Sequence, residues 1–235
     1  MRRFPLVRRL VQKFHPEAIP GIAAAVYDIA GKTMYFRRYY EIMAGDISEF
    51  CSAEGSVLDI GTGPGRLLIE LHKRRSGLQL TGIDLSAAMV SLANSNISKA
   101  GLVHAIRVCE ANAAHMPFPD DSFDLVTSTG SIHHWKDPVL GLNEVFRVLK
   151  PDGHALMYDI VSDTPAQVKR QVIHEFGRLT AALLWIHAFA EPFYTCESFE
   201  ALARTTAFEQ GRIRFAGIMA CLALTKKGQG NFAKE

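Results

Sequence analysis

The sequence predicts an open α/β sheet, mostly parallel, with an antiparallel strand pair at its C-terminal end and helices on both faces. Three observations carry that expectation. The apolar run Val57-Leu58-Asp59-Ile60 ends in glycines at alternate positions, Gly61, Gly63 and Gly65, and a helical pattern follows. A strand, a tight turn and a helix start, in that order, mark the place where such sheets bind a nucleotide-like ligand. Strand and helix patterns then alternate as far as residue 160, the rhythm of a parallel sheet covered by helices. Finally, Arg212–Ala216 and Ile218–Thr225 read as two strands with little more than Gly217 between them. So short a link joins only antiparallel neighbours.

Taken in order, residues 1–52 are expected to be an N-terminal helical segment, suited to act as a lid, and residues 53–235 the α/β domain. Within it, strands are expected at 56–60, 79–84, 103–110, 123–127 and 154–160, and helices at 65–75, 86–100 and 138–149. Lys150-Pro151-Asp152-Gly153 is a strong turn signal before the fifth strand. Residues 165–195 are expected to form either an apolar cap insertion, mostly helical, containing Trp185, Phe189 and Phe193, or simply a core helix. Another helix is expected over 197–206 before the final strand pair.

The chain of 235 residues is long enough for one large domain or a domain with an appendage. A net charge of +2 gives no global argument for nucleic acid. The four cysteines are scattered, with no CxxC or Cys/His cluster, so no metal is expected and a reducing, cytoplasmic compartment fits. No apolar run reaches the roughly 18 residues of a membrane span. The first sixteen residues differ from the rest. Arg2, Arg3, Arg8, Arg9 and Lys13 precede any acid, and Val7, Leu10, Val11 and Phe14 share one helical face. Such a helix is compatible with peripheral contact to an anionic membrane, with nucleic acid, with a transit segment, or with plain packing on the domain.

The glycine spacing narrows the ligand. A dinucleotide fingerprint needs a third glycine where Arg66 stands, and a P-loop needs a Gly-Lys-Ser/Thr ending that is missing. The strand Leu80-Thr81-Gly82-Ile83-Asp84 ends in an acid 23 residues after Gly61. A carboxylate there can accept both hydroxyl hydrogens of a ribose. Asp59, just before the turn, could hold the loop's backbone N–H groups or accept from a ligand ammonium.

Asp59-Ile60-Gly61-Thr62-Gly63-Pro64-Gly65 together with Asp84 resembles the class I S-adenosylmethionine-dependent methyltransferases, which are built on a Rossmann-like sheet. Ala113-Ala114-His115-Met116-Pro117-Phe118-Pro119-Asp120-Asp121-Ser122-Phe123-Asp124-Leu125-Val126 is similar to that superfamily's third and fourth strand region. So is the run from Asn143 to Gly153. The match runs from about residue 53 to 160, and Ile132-His133-His134-Trp135 resembles the small-molecule branch that includes the ubiquinone/menaquinone C-methyltransferases. The resemblance implies an S-adenosyl-L-methionine cofactor, released as S-adenosyl-L-homocysteine. It implies that Gly61, Gly63 and Gly65 face the methionine and ribose parts, that Asp84 takes the ribose hydroxyls, and that Leu85 and Met89 flank the adenine. Asp59, Thr62 and Ser128 complete the cofactor candidates. Where the family often has an acid before Ala113 to accept from the adenine amino group, this chain has Asn112, whose amide oxygen can still accept one hydrogen bond.

The acceptor is less legible. Enzymes that methylate amino groups of nucleic acids carry an Asn/Asp-Pro-Pro-Tyr/Phe motif after the fourth strand, and this chain has Ser128-Thr129-Gly130-Ser131 there. Nucleic acid is therefore a disfavoured partner, and a small, apolar or aromatic acceptor is expected. The resemblance places His133 on the substrate side of the cleft, and Asp159 ends the fifth strand at the same rim. A His beside a carboxylate can deprotonate a phenol, enol or carboxylic oxygen near neutral pH. The plainer alternatives are that His133 caps the next helix and that Asp159 holds a helix terminus. Trp135 is expected to pack, and His115 and His154 to be structural or exposed. RNA or protein methylation and a non-catalytic cofactor-binding module are the competing functions. Oligomeric state is not readable.

Overall fold

A computed structural model of the chain describes residues 34–177 and 194–228. The basic helix expected within residues 1–16 and the aromatic part of the expected cap, Trp185 to Phe193, lie outside the described residues. Among the described residues, one seven-stranded sheet is flanked by helices on both faces. The elements run α1 (Met34–Ser48), β1 (Ser56–Ile60), α2 (Arg66–Arg74), β2 (Gln79–Asp84), α3 (Ala87–Lys99), β3 (Ile106–Glu110) and β4 (Phe123–Thr129). A 3-10 turn (Ile132–His134), α4 (Pro138–Val148), β5 (Leu149–Asp159), α5 (Ala166–Phe176), α6 (Cys196–Arg204), β6 (Arg212–Ala216) and β7 (Met219–Thr225) follow.

The strand order is β3-β2-β1-β4-β5-β7-β6. β1 to β5 pair in parallel, and β7 pairs antiparallel with both β5 and β6. The mostly parallel sheet with an antiparallel C-terminal pair is therefore as expected. The order reverses on either side of β1 and β4, and ligands of open α/β sheets bind outside the strand ends at such a reversal.

Strand alternation sorts the core into two clusters. Val57, Leu80, Leu125, Leu156, Tyr158 and Cys221 face one side, under α1, α2, α3 and α5. Leu58, Ile60, Val126, Ala155, Met157 and Leu222 face the other, under α4 and α6. α1 buries Met43, Ala44 and Ile47 on the first face and so belongs to the body of the fold.

The largest departures from the expected strand boundaries are at β3 and β5, each for a hydrogen-bonding reason. The third strand begins at Ile106, because the N–H of Leu102 returns to the Ile97 carbonyl and those of Ala105 and Ile106 to Leu102. That closing turn leaves Val103 66% exposed. The fifth strand starts before the 150–153 turn. Phe123 pairs with Leu149 and Leu125 with His154, so the turn is carried as an irregularity inside β5. At the other end Ile160 is outside the strand, its N–H taken by Asp159 Oδ1 at 2.8 Å.

Candidate active site

The glycine turn is tied to the end of β2. The N–H groups of Gly61 and Thr62 donate to the Ile83 carbonyl at 2.8 and 3.0 Å, and that of Gly63 donates to Asp84 Oδ2 at 2.9 Å. Asp84 Oδ1 accepts from the Ser86 N–H at 2.9 Å, and Ser86 Oγ in turn caps α3. Burial pushes the Asp84 carboxyl up, against the pull of its two N–H partners. Gly61 has φ 71°, and a Cβ there would lie 2.2 Å from Ser131 Oγ, so both conformation and close approach require glycine. Gly63, at φ 51°, has nothing within 4 Å of a Cβ position; its backbone borders open space.

Two buried oxygens at this edge of the sheet, Asp59 Oδ1 and Ser128 Oγ, have no hydrogen-bond partner, while the buried Thr62 hydroxyl sits beside the Asp59 carboxylate. Buried polar groups are nearly always paired, so such a group asks for a ligand or a water. Asp59 is 1% exposed, and burial, opposed by the Thr62 hydroxyl and aided by the like charge of Asp84, pushes its carboxyl up to about 7. Asp59 does not hold the turn through the amides of Gly61, Thr62 and Gly63, which go to Ile83 and Asp84 instead. Asp59 and Ser128 lie on opposite faces of the sheet, following Val57 and Val126 by two residues. Further along the rim, Met89 is buried and Leu85 and Ala113 are half-buried. Asn112 Oδ1 accepts from the Ala114 N–H at 2.8 Å, an Asx turn that leaves the oxygen a second lone pair.

The expected histidine–carboxylate pair forms. His133 Nδ1 lies 2.8 Å from Asp159 Oδ2 and 3.0 Å from Oδ1, and the His133 backbone N–H donates to Oδ2 at 3.1 Å. The Asp159 side chain is fully buried and that of His133 is nearly so. An ionised carboxylate only accepts, so the proton between them sits on Nδ1 and Nε2 is the basic nitrogen. His133 does not cap the next helix. Asp137 does, its Oδ1 accepting from the Leu140 N–H at 2.9 Å. Asp159 holds the 3-10 turn through its bond to the His133 N–H, and the side-chain pair is additional.

Trp135 packs, as expected: its Nε1–H donates to Ser131 Oγ at 3.1 Å, and its ring fills the space a Cβ at Gly141 would enter, 2.6 Å away. Ser131 thus touches both the glycine turn and Trp135, a link with no signature in the sequence. His154 Nδ1 meets Thr225 Oγ1 at 3.1 Å, and His115 is exposed. Glu144 and Arg147 of α4 are further residues that sequence reasoning did not single out. Glu144 accepts from the Met116 N–H at 2.9 Å, while Arg147 donates to the carbonyls of Met116 and Phe118 and to Asp120. Their spacing of three on a helix was the available signal. Among the described residues no group of three or more His, Cys, Asp or Glu is placed to hold a metal ion, and no helix is long and apolar enough to cross a membrane.

Comparison with known proteins adds three findings. A family model described as a methyltransferase domain matches residues 58–157. The ubiquinone/menaquinone biosynthesis C-methyltransferase UbiE of Geotalea daltonii is 34% identical over 123 residues, 52% of each chain. The uncharacterized methyltransferase YcgJ of Bacillus subtilis is 38% identical over 109 residues, 46% of this chain and 42% of that one. The chain thus spans about half the length of these curated relatives. A crystal structure of a Methanococcus maripaludis protein, described as an S-adenosyl-L-methionine-dependent methyltransferase, superposes with a TM-score of 0.70. It is 23% identical and covers 91% of this chain and 95% of that chain. At that identity the likeness speaks to the fold.

Proposed function

We propose, for a chain that belongs to the class I S-adenosylmethionine-dependent methyltransferases, that it transfers a methyl group to an oxygen or activated carbon of a small, apolar or aromatic acceptor. Family and fold imply use of S-adenosylmethionine. The observation that carries the acceptor chemistry is the buried His133–Asp159 pair.

The residues present fit the cofactor. The unpartnered Asp59 Oδ1 suits a ligand ammonium, the open space at Gly63 admits a ligand against bare backbone, and Asp84 keeps a lone pair on each oxygen for ribose hydroxyls. Ser128 offers an unpaired hydroxyl and Thr62 a hydroxyl beside Asp59, Gly61 and Gly65 frame the turn, Leu85 and Met89 would flank the adenine, and Asn112 with Ala113 would meet its edge. Bound, the cofactor supplies an electrophilic methyl on a positively charged sulfur.

The chain's own work is to place the acceptor, keep water out and hold a proton. Asp159 fixes the His133 ring and its tautomer, so His133 Nε2 takes the acceptor's phenol, enol or carboxylic proton as the methyl bond forms. The imidazolium so created is stabilised by the Asp159 carboxylate 2.8 Å from Nδ1. The name of the quinone-biosynthesis relative supports an acceptor of the quinol class, with a ring hydroxyl for this base to act on. α1 and α5 pack into the core, so a cover over acceptor and cofactor is assigned only to the rest of the expected lid and cap, outside the described residues. Peripheral contact with a membrane through the basic N-terminus would suit such a lipophilic acceptor.

The test uses methyl-labelled cofactor and a panel of phenols, naphthoquinols and hydroxy acids. His133→Ala is expected to lower the single-turnover rate by roughly 10²-fold or more, the usual contribution of a positioned base. A full rate at saturating acceptor rejects the base. Label transferred to generic RNA instead, with a strong salt dependence, rejects the small acceptor.

A further inference from the structure

The strand end that carries Asp159 is gripped from its other face. Tyr158 and Asp159 are neighbours in β5, so their side chains point to opposite sides of the sheet. Asp159 reaches His133, while the buried Tyr158 hydroxyl donates to Asp46 Oδ2 of α1 at 2.5 Å. Arg214 of β6 closes the cluster with a two-pronged contact, NH1 to Asp46 Oδ1 at 2.5 Å and NH2 to Oδ2 at 2.6 Å. The same NH2 lies 3.3 Å from the Tyr158 hydroxyl. Tyr158, Cys221 and Arg214 are in register across β5, β7 and β6, so the cluster spans three strands and a helix.

The backbone of Tyr158 leads to the same loop as the side chain of Asp159. Its carbonyl accepts from the Gly130 N–H at 2.8 Å, where β4 leaves the sheet and the segment bearing His133 begins. Residues 158 and 159 therefore hold that segment at two points, Gly130 and His133. We propose that Asp46, Tyr158 and Arg214 form a positioning network for His133, an assignment that rests on the base proposed above.

Two physical arguments support it. Three apolar side chains would fasten α1 to the sheet without the desolvation that a half-buried carboxylate and guanidinium incur. What the polar cluster adds is direction, because a planar fork on a carboxylate fixes orientation as well as distance. Burial, with Cys221 and Asp46 beside it, also pushes the Tyr158 phenol up, which keeps it a donor to Asp46 at any ordinary pH. A tilt of β5 about its axis at residue 158 moves the Asp159 carboxylate and the Gly130 anchor together.

The experiment reads the His133 ring directly, in protein alone, by 15N-histidine NMR. Tyr158→Phe removes only the hydroxyl and Arg214→Lys only the fork. Each is expected to speed solvent exchange of the His133 Nδ1–H by about tenfold, as a 1.4 kcal/mol loosening would, with affinity for S-adenosylhomocysteine within about twofold of wild type. With the panel acceptor turned over best, each lowers kcat in the wild-type background but not in His133→Ala, because a residue acting through another shows no separate effect once that one is gone. Unchanged exchange with a lowered melting temperature overturns the network and leaves Asp46 and Arg214 as an anchor for α1. An equal loss of kcat in both backgrounds also overturns it, while leaving the base intact. A wild-type rate in His133→Ala overturns the base itself and the network with it.

Discussion

Two glycines two residues apart in the same turn are expected to fail in opposite ways when each is replaced by alanine. Both have left-handed backbone, at φ 71° for Gly61 and φ 51° for Gly63, which costs an L-residue about 1–2 kcal/mol. At Gly63 that is the whole cost to the protein, since nothing lies within 4 Å of the new methyl. At Gly61 the methyl would lie 2.2 Å from Ser131 Oγ and 2.6 Å from Ser131 Cβ. Ser131 must move, losing the 3.1 Å bond from Trp135 Nε1. That loss is worth about 1 kcal/mol, and the forced repacking adds about 1–3 kcal/mol. Gly61→Ala is thus expected to destabilise by roughly 3–6 kcal/mol and Gly63→Ala by about 1–2 kcal/mol. Cofactor affinity should run the other way in its cause. The methyl at residue 63 enters the space assigned to the ligand, and about 1.4 kcal/mol of lost contact there is tenfold in Kd. Urea denaturation and calorimetric titration with S-adenosylmethionine measure the two effects separately. If Gly63→Ala bound as wild type, the ligand would not lie against that backbone. If the two variants were equally destabilised, the close approach to Ser131 would be discounted.

Other outcomes follow from the same geometry. A rise of the Asp59 carboxyl from an ordinary 3.8 to about 7 means that the folded chain keeps a proton which the unfolded chain has released. Stability without cofactor is therefore expected to decline by roughly 4 kcal/mol as pH rises from about 4 to 7, and then to level off. Asp59→Asn should abolish that decline, and a urea series whose slope survives the substitution assigns it to another group. Asp159→Asn keeps the shape but removes the anion that stabilises the imidazolium, so kcat should fall by roughly 10²-fold or more. A pH–rate profile unchanged from wild type would contradict this. Gly141→Ala drives a methyl to 2.6 Å from the Trp135 ring, with an expected cost of about 1–3 kcal/mol and a shift in tryptophan emission; neither change would mean that the ring is free to swing away.

Much of this architecture was legible because it rests on local signals. The glycine turn, the acid at the end of β2 and the alternating apolar runs placed β1, β2 and β4 to within a residue or two. The antiparallel end of the sheet followed from the shortness of the link at Gly217. The misplaced boundaries lie where hydrogen bonds from outside the segment decide. Val103 is apolar enough for a strand, yet the closing turn of α3 uses the amides around it. The histidine–carboxylate pair was readable as two residues sharing a rim, because strand ends in such sheets converge. Its distance was not readable, nor was the cluster on the reverse side of β5. Asp46 and Arg214 are 168 residues apart, and nothing in the local pattern around either one announces the other. The same holds for Ser131, whose contact with Gly61 depends on how two loops meet.

The order of strands has a consequence for how the chain is made. β7 lies inside the sheet, between β5 and β6, yet it is the last described strand to leave the ribosome. Until residues 219–225 emerge, β5 shows a bare edge of unpaired amides and carbonyls, and β6 has no neighbour to zip against. Such an edge invites pairing with another nascent chain. Asp46, made early, must likewise wait for Arg214 before its carboxylate is matched. Strand order thus leaves the pairing of β5 and β6 to the last described strand, and an open sheet edge exposed to other chains until it arrives.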